Sequence, residues 1–410
     1  MILINSQFLK IARDNVQDKI NQQVSIFKAV NPQAKIIELN RGDVVRPLSQ
    51  CVIEAMTKAL NEFAMNDTIH GRGPLEGYQF LRDAILKHDY KAHKIKIDSS
   101  EIFINSGTKA ELAAIGDILC RDNRVAIADP IYQTFVESNV VSNRAGERDE
   151  DGRWNHLIYM KCSKEDNFMP QMLTKCPEVI YLCYPNDPTG CTMSRDTLKK
   201  WVQYAIENNV LIIFDATYEA FITDRDTPHS IYEIKGARRC AIEIRSFSKN
   251  AGFTELHCGY TIIPKEINGF SFSANKTANL NELWRRRQEI KNYTPSYVVQ
   301  RGAESLYTPE GLRSTKENID YYMQNASLLR YALQNTRLNF WGGEDSPFIW
   351  VESPYKNSWL LFEKLLNSCN ILSSPGERFG PGGRGYVRLS AFADQTQVTI
   401  ASSKICDLDL

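Results

Sequence analysis

Five short strand-like runs recur between residues 102 and 246, each ending at a polar or glycine-bearing turn: Ile102-Phe-Ile104, Val125-Ala-Ile-Ala128, Val179-Ile-Tyr-Leu182, Val210 to Phe214, and Cys240-Ala-Ile-Glu-Ile-Arg245. Helical patterns lie between them. After Asn105-Ser-Gly107 an apolar-periodic helix runs through Ala110, Ala113 and Leu119. Leu198, Trp201, Val202, Ala205 and Ile206 fall at i, i+3, i+4, i+7 and i+8, one stripe of an amphipathic helix. Ser194 suits its N-cap, and Asn208-Asn209 turns the chain into the next strand. Strands alternating with helices in this way predict an α/β fold with a parallel sheet. In such sheets ligands bind at the C-terminal ends of the strands, where Asn186, Asp215 and the loop from Ser246 fall.

Around this core the 410 residues are enough for two domains. Residues 143–170 are polar, charged and without a clear period, which predicts an exposed excursion. From about residue 296 the pattern changes to long polar helices, followed by strands at Phe348-Ile-Trp-Val351 and Tyr386-Val-Arg-Leu389. That predicts a smaller α+β domain over 296–410, joined by an N-terminal arm over 1–45, with the large domain over 46–295. The 49 basic and 49 acidic residues balance, so neither nucleic acid nor an acidic membrane is an expected partner. No apolar stretch reaches membrane-spanning length, and Met1-Ile-Leu-Ile-Asn-Ser turns polar too soon for a signal peptide. Ten cysteines without a CxxC pair predict reduced thiols in the cytoplasm, with no zinc or other metal site.

Three patterns carry chemistry, each beside a predicted strand: Pro185-Asn186-Asp187-Pro188-Thr189-Gly190, Asp215-Ala216-Thr217-Tyr218, and Ser246-Phe247-Ser248-Lys249. A lysine amine condenses with an aldehyde, and a buried carboxylate keeps a pyridine nitrogen protonated as an electron sink. Together these predict a site for pyridoxal 5′-phosphate. Alone, each has a plainer reading: a solvated lysine, a helix N-cap, a good turn.

With these motifs the chain resembles the fold-type I pyridoxal-phosphate aminotransferases, and within them is most similar to the LL-diaminopimelate aminotransferases. The similarity runs from Asn31-Pro32 through Ser246-Phe-Ser-Lys-Asn-Ala-Gly-Phe253 to Pro375-Gly-Glu-Arg-Phe-Gly-Pro-Gly-Gly383. It implies a mixed, mostly parallel seven-stranded sheet between helices in the large domain, and a homodimer with shared active sites. It implies that Lys249 holds the cofactor and shuttles the proton, that Asp215 faces the pyridine nitrogen, and that Tyr132 stacks on the ring. Asn186 and Tyr218 would bond the cofactor's phenolic oxygen. Thr108, Lys109, Ser246 and Ser248 would hold its phosphate, with helix-terminal backbone amides contributing. Arg388 would grip the substrate α-carboxylate in a two-pronged contact opposite Gly42. Lys109, Asn186 and Asn292 complete the implied substrate contacts, with Asn292 reaching the neighbouring subunit's site.

The chain departs from that family in places that bear on function. His257 stands where an arginine is expected to clamp the phosphate, and Glu255 replaces a glycine. Histidine offers two donors at most, against five from arginine. Arg72, in Gly71-Arg72-Gly73, replaces a tyrosine that crosses the dimer interface to the phosphate, which suggests an exchange of Arg72 for the guanidinium lost at 257. Val16 and Leu75 stand where a tyrosine and a glutamate would read the distal end of diaminopimelate. The expected function is therefore a pyridoxal-phosphate enzyme acting on an L-α-amino acid, an aminotransferase. The same residues also serve β- or γ-elimination, replacement or cyclisation, and a non-catalytic binding role is the third class.

Overall fold

The structure, a computed structural model, describes residues 2–11, 15–69, 71–291 and 294–408. Seven strands form the central sheet: β1 Ile102–Asn105, β2 Val125–Asp129, β3 Leu157–Lys161, β4 Val179–Cys183, β5 Leu211–Asp215, β6 Ala241–Ser246 and β7 Gly259–Ile262. Their order is β1-β7-β6-β5-β4-β2-β3, and only β7 runs antiparallel to its neighbours. The five predicted runs are thus strands of one sheet. Alternate side chains feed two cores: Ile180 and Leu182 of β4 enter one, while Val179, Tyr181 and Cys183 enter the other. Burial on both faces explains why these strands read as unbroken apolar runs.

Two strands of this sheet escaped the sequence. β3 lies inside 143–170, so the predicted exposed excursion is corrected to an edge of the sheet. Leu157 and Met160 are buried on opposite faces, Ile158 and Tyr159 half-buried, and Lys161 exposed, a pattern too short and too mixed to stand out. β7 begins at Gly259, whose Cα approaches the Arg245 carbonyl so closely that a Cβ would sit 2.5 Å from it. The predicted helix Arg195–Asn208 forms, with the Ser194 hydroxyl accepting from the Thr197 amide at 3.2 Å and Asn209 closing it in the left-handed region. Such a cap contributes about 1 kcal/mol.

The C-terminal part builds a four-stranded antiparallel sheet from β8 Phe340–Gly342, β9 Phe348–Glu352, β10 Ser374–Pro375 and β11 Tyr386–Ser390, in the order β8-β9-β11-β10. The N-terminal segment packs with it: Ile37–Glu38 pairs in parallel with Ile371–Leu372, and Ile20, Phe27 and Leu39 share its core. Helix Tyr297–Ser305 instead packs on Gln50–Glu62, and its neighbour Leu306 enters the large sheet's core. All ten cysteines are free. Among the described residues no helix is long and apolar enough to cross a membrane, and no cluster of metal ligands occurs.

Behind the sheet's ligand end, Glu111 is buried and accepts a hydrogen bond from the Thr261 hydroxyl. Burial pushes its carboxyl up to about 7, against the opposing effects of that bond and of Arg287. Since the folded form holds its proton more tightly than the unfolded chain, stability falls as pH rises from about 4.5 to 7, and the cost is complete above that. Glu111→Gln is therefore expected to stabilise the protein at pH 8 by on the order of 3 kcal/mol and to change little near pH 5. Urea denaturation at the two pH values checks this; an equal effect at both would contradict it.

Candidate active site

The C-terminal ends of β1, β4, β5 and β6 open into a cleft of about 980 Å³, closed on the other side by β11 and by residues 40–43. Lys249 enters it from the loop after β6, whose Phe247 is anchored in the core. Its Nζ lies 3.4 Å from Asp43 Oδ1. Burial lowers the amine's affinity for its proton, while the carboxylates of Asp43 and Asp187 work the other way. The net shift makes the neutral, nucleophilic amine more accessible.

Asp215 ends β5 opposite Cys183 of β4 and is 2% exposed, yet it faces the cleft. Oδ2 accepts from the Tyr181 hydroxyl at 2.7 Å, and Oδ1 accepts from the Thr217 amide and hydroxyl at 3.0 and 2.6 Å. Burial raises its pKa, and these bonds only partly oppose that. No cation among the described residues pairs with it. A buried, oriented carboxylate without a counter-ion fits a protonated ring nitrogen, which would restore its charge.

The anion-binding part lies beside it. Gly107, at φ +91°, turns the chain into helix Thr108–Ile115, whose first amides open towards the cleft. Thr108 and Thr217 share a hydroxyl contact of 2.6 Å. Ser106, Lys109, Ser246, Ser248 and His257 line the same wall, and the Ser248 amide donates to the Ser246 hydroxyl at 3.2 Å. His257 is held at φ +51° by a helical-type bond from its amide to the Phe253 carbonyl at 2.9 Å. A helix N-terminus, hydroxyls and a lysine together suit a phosphate.

Tyr132 and Tyr218 also line the cleft, the latter packed edge-on against Phe348 at 5.0 Å. Burial raises the pKa of both phenols, so both stay protonated donors. Arg388 reaches in from β11 between the rings of Phe348 and Phe379, and a Cβ on Gly42 would come within 3.6 Å of its guanidinium. Thus Lys249, Asp215, Tyr132, Tyr218, Thr108, Lys109, Ser246, Ser248, His257, Gly42 and Arg388 converge on one cavity.

Asn186 does not line it. Its amide closes the turn, donating to the Cys183 carbonyl at 3.3 Å and accepting from the Thr189 amide and hydroxyl at 3.1 and 2.8 Å. The next residue, Asp187, faces the cleft instead. Arg72 and Glu255 are exposed and lie outside this chain's cleft, Leu75 is half-buried outside it, and Val16 lines it. Asn292 falls outside the described residues. Sequence reasoning missed Asp43, Asp187 and Tyr181. Only Asp187 left a signal, as a second polar side chain in the same turn.

Residues 34–405 match the family model for aminotransferase class I and II. The chain is 47% identical over 406 residues to an LL-diaminopimelate aminotransferase of Phocaeicola vulgatus, covering 99% of each, and 47% identical over 407 residues to that of Bacteroides thetaiotaomicron, again with 99% of each covered. Among solved structures, an L,L-diaminopimelate aminotransferase from Chlamydomonas reinhardtii superposes with a TM-score of 0.89 at 33% identity, covering 98% of both chains. A Thermus thermophilus aspartate aminotransferase variant shares the fold, with a TM-score of 0.82 at 16% identity over all of both chains. The chain therefore belongs to the class I and II aminotransferases, enzymes that carry pyridoxal 5′-phosphate and act on α-amino acids.

Proposed function

We propose that this aminotransferase works in the cytoplasm as a homodimer and takes its amino group from LL-diaminopimelate or a near analogue with a charged distal end. End-to-end identity of 47% to enzymes of that name is the observation that carries the reading. The cleft supports it. Beyond the cofactor wall it is lined by Arg148, Arg384, Glu137 and Asp151, charges of both signs. Such a wall suits a distal ammonium and carboxylate better than an apolar side chain.

Pyridoxal phosphate supplies the electron sink that makes a substrate α-hydrogen acidic. Lys249 would hold it covalently, and its freed amine would carry the proton from the α carbon. Asp215 would keep the ring nitrogen protonated, with Tyr181 and Thr217 fixing the carboxylate. The Tyr132 ring would cover the cofactor face and Tyr218 would donate to its phenolic oxygen. Thr108, Lys109, Ser246 and Ser248 would hold the phosphate, joined by His257. Arg388 and Gly42 would seat the α-carboxylate.

Incubation of the holoenzyme with LL-diaminopimelate alone is expected to shift the cofactor's visible absorbance to that of its amine form and to release one keto acid per site. No shift with diaminopimelate, but a shift with another amino acid, would replace the substrate. Release of a side-chain fragment without any keto-acid acceptor would replace the reaction type.

Arg72 lies in the loop 71–73, and we assign to it the partner subunit's phosphate. Arg72→Ala is then expected to weaken cofactor binding about tenfold to a hundredfold, the worth of one charge-assisted contact. Dialysis against graded pyridoxal phosphate checks this, and unchanged affinity would exclude the exchange with His257.

A further inference from the structure

Arg388 meets a carboxylate of its own chain before any substrate arrives. Its Nη1 donates to Asp187 Oδ1 at 2.6 Å, and Nη2 donates to the Asn40 carbonyl at 2.9 Å. The side chains are 6% and 9% exposed, and both line the cleft. The guanidinium is also confined, with Phe348 at 4.5 Å and Phe379 at 4.8 Å from its carbon. Nε is buried without a partner. Two of its five donors are thus taken, one on each terminal nitrogen. A substrate carboxylate must either take the Nη1 donor from Asp187 or share the guanidinium with it, and two carboxylates on one cation repel each other.

We propose that Asp187 is a resident competitor for Arg388 that sets how tightly the cleft holds carboxylate ligands. The inference rests on the reading of Arg388 as the carboxylate clamp. Asp187 comes from the turn after β4 and Arg388 from β11, so the contact also ties the seven-stranded sheet to the four-stranded one. A purely structural strut would make the same contact, so the test must separate the two roles. With the competing charge gone, a carboxylate faces the guanidinium without a rival anion. With a strut gone, Arg388 loses its position and the same ligand binds worse.

The holoenzyme is titrated with butyrate, which has a carboxylate and no amino group, and with butyramide, its uncharged match. Asp187→Asn keeps the shape and removes the charge. It is expected to tighten butyrate about tenfold while moving butyramide by less than about twofold. Asp187→Ser, also uncharged, is expected to shift butyrate in the same direction and carries the test if the asparagine variant does not fold. Weaker or unchanged butyrate binding, in a variant with parental melting temperature and cofactor absorbance, would overturn the proposal alone. Unchanged butyrate binding in Arg388→Gln would overturn the clamp and the proposal together.

Discussion

Lys249→Ala is expected to lower turnover by at least about 10⁴-fold and to leave the cofactor removable by simple dialysis. The size follows from two roles resting on one nitrogen. The amine holds the cofactor covalently and, once released, is the base that takes the α-hydrogen. Among the described residues the other two lysines of the cleft wall are engaged elsewhere: Lys109 opens the helix at the anion-binding end, and Lys10 pairs with Glu147. The position is also tuned, since burial lowers the amine's proton affinity and only Asp43 and Asp187 oppose it. Stopped-flow measurement of the half-reaction separates the two losses. A variant that still converts the cofactor within tenfold of the parental rate would remove Lys249 from the chemistry.

Asp215→Asn is expected to cost about 10²–10³ in turnover with little change in the Michaelis constant. Both carboxylate oxygens accept hydrogen bonds, Oδ2 from Tyr181 and Oδ1 from Thr217. An amide nitrogen at either place would face a donor, so the variant loses charge and one set of bonds together. What it withdraws from the cofactor is the anion that holds the ring nitrogen protonated. A cofactor analogue methylated on that nitrogen carries a permanent positive charge and is therefore expected to restore activity in the variant. Failure of this rescue in a folded variant would show that Asp215 acts by packing and not by charge.

The sequence carries the large sheet unevenly, and the reasons are local. β4 and β5 are buried on both faces, so their apolar runs stand out in any window. β3 is an edge strand between polar segments, with Leu157 buried on one face and Met160 on the other, and β7 is four residues long and begins with glycine. Neither gives a period long enough to separate from a loop. The site divides in the same way. Lys249, Asp215 and Arg388 are readable because a charge beside an apolar run needs a purpose. Tyr181 reads as one more core residue, since nothing in β4 reveals that its hydroxyl meets Asp215 across the sheet. Asn186 and Asp187 are adjacent and polar, and both fit the turn. Which one faces the cleft is set by Thr189, whose amide and hydroxyl hold the Asn186 side chain inside the turn. That contact exists only once the turn has folded.

Borohydride reduction of the holoenzyme, followed by mass spectrometry of its peptides, addresses the covalent bond directly. The peptide containing Ser246-Phe247-Ser248-Lys249 is predicted to carry a phosphopyridoxyl group on the lysine. An unmodified Lys249, or a label on another lysine, would contradict the site as it is described above.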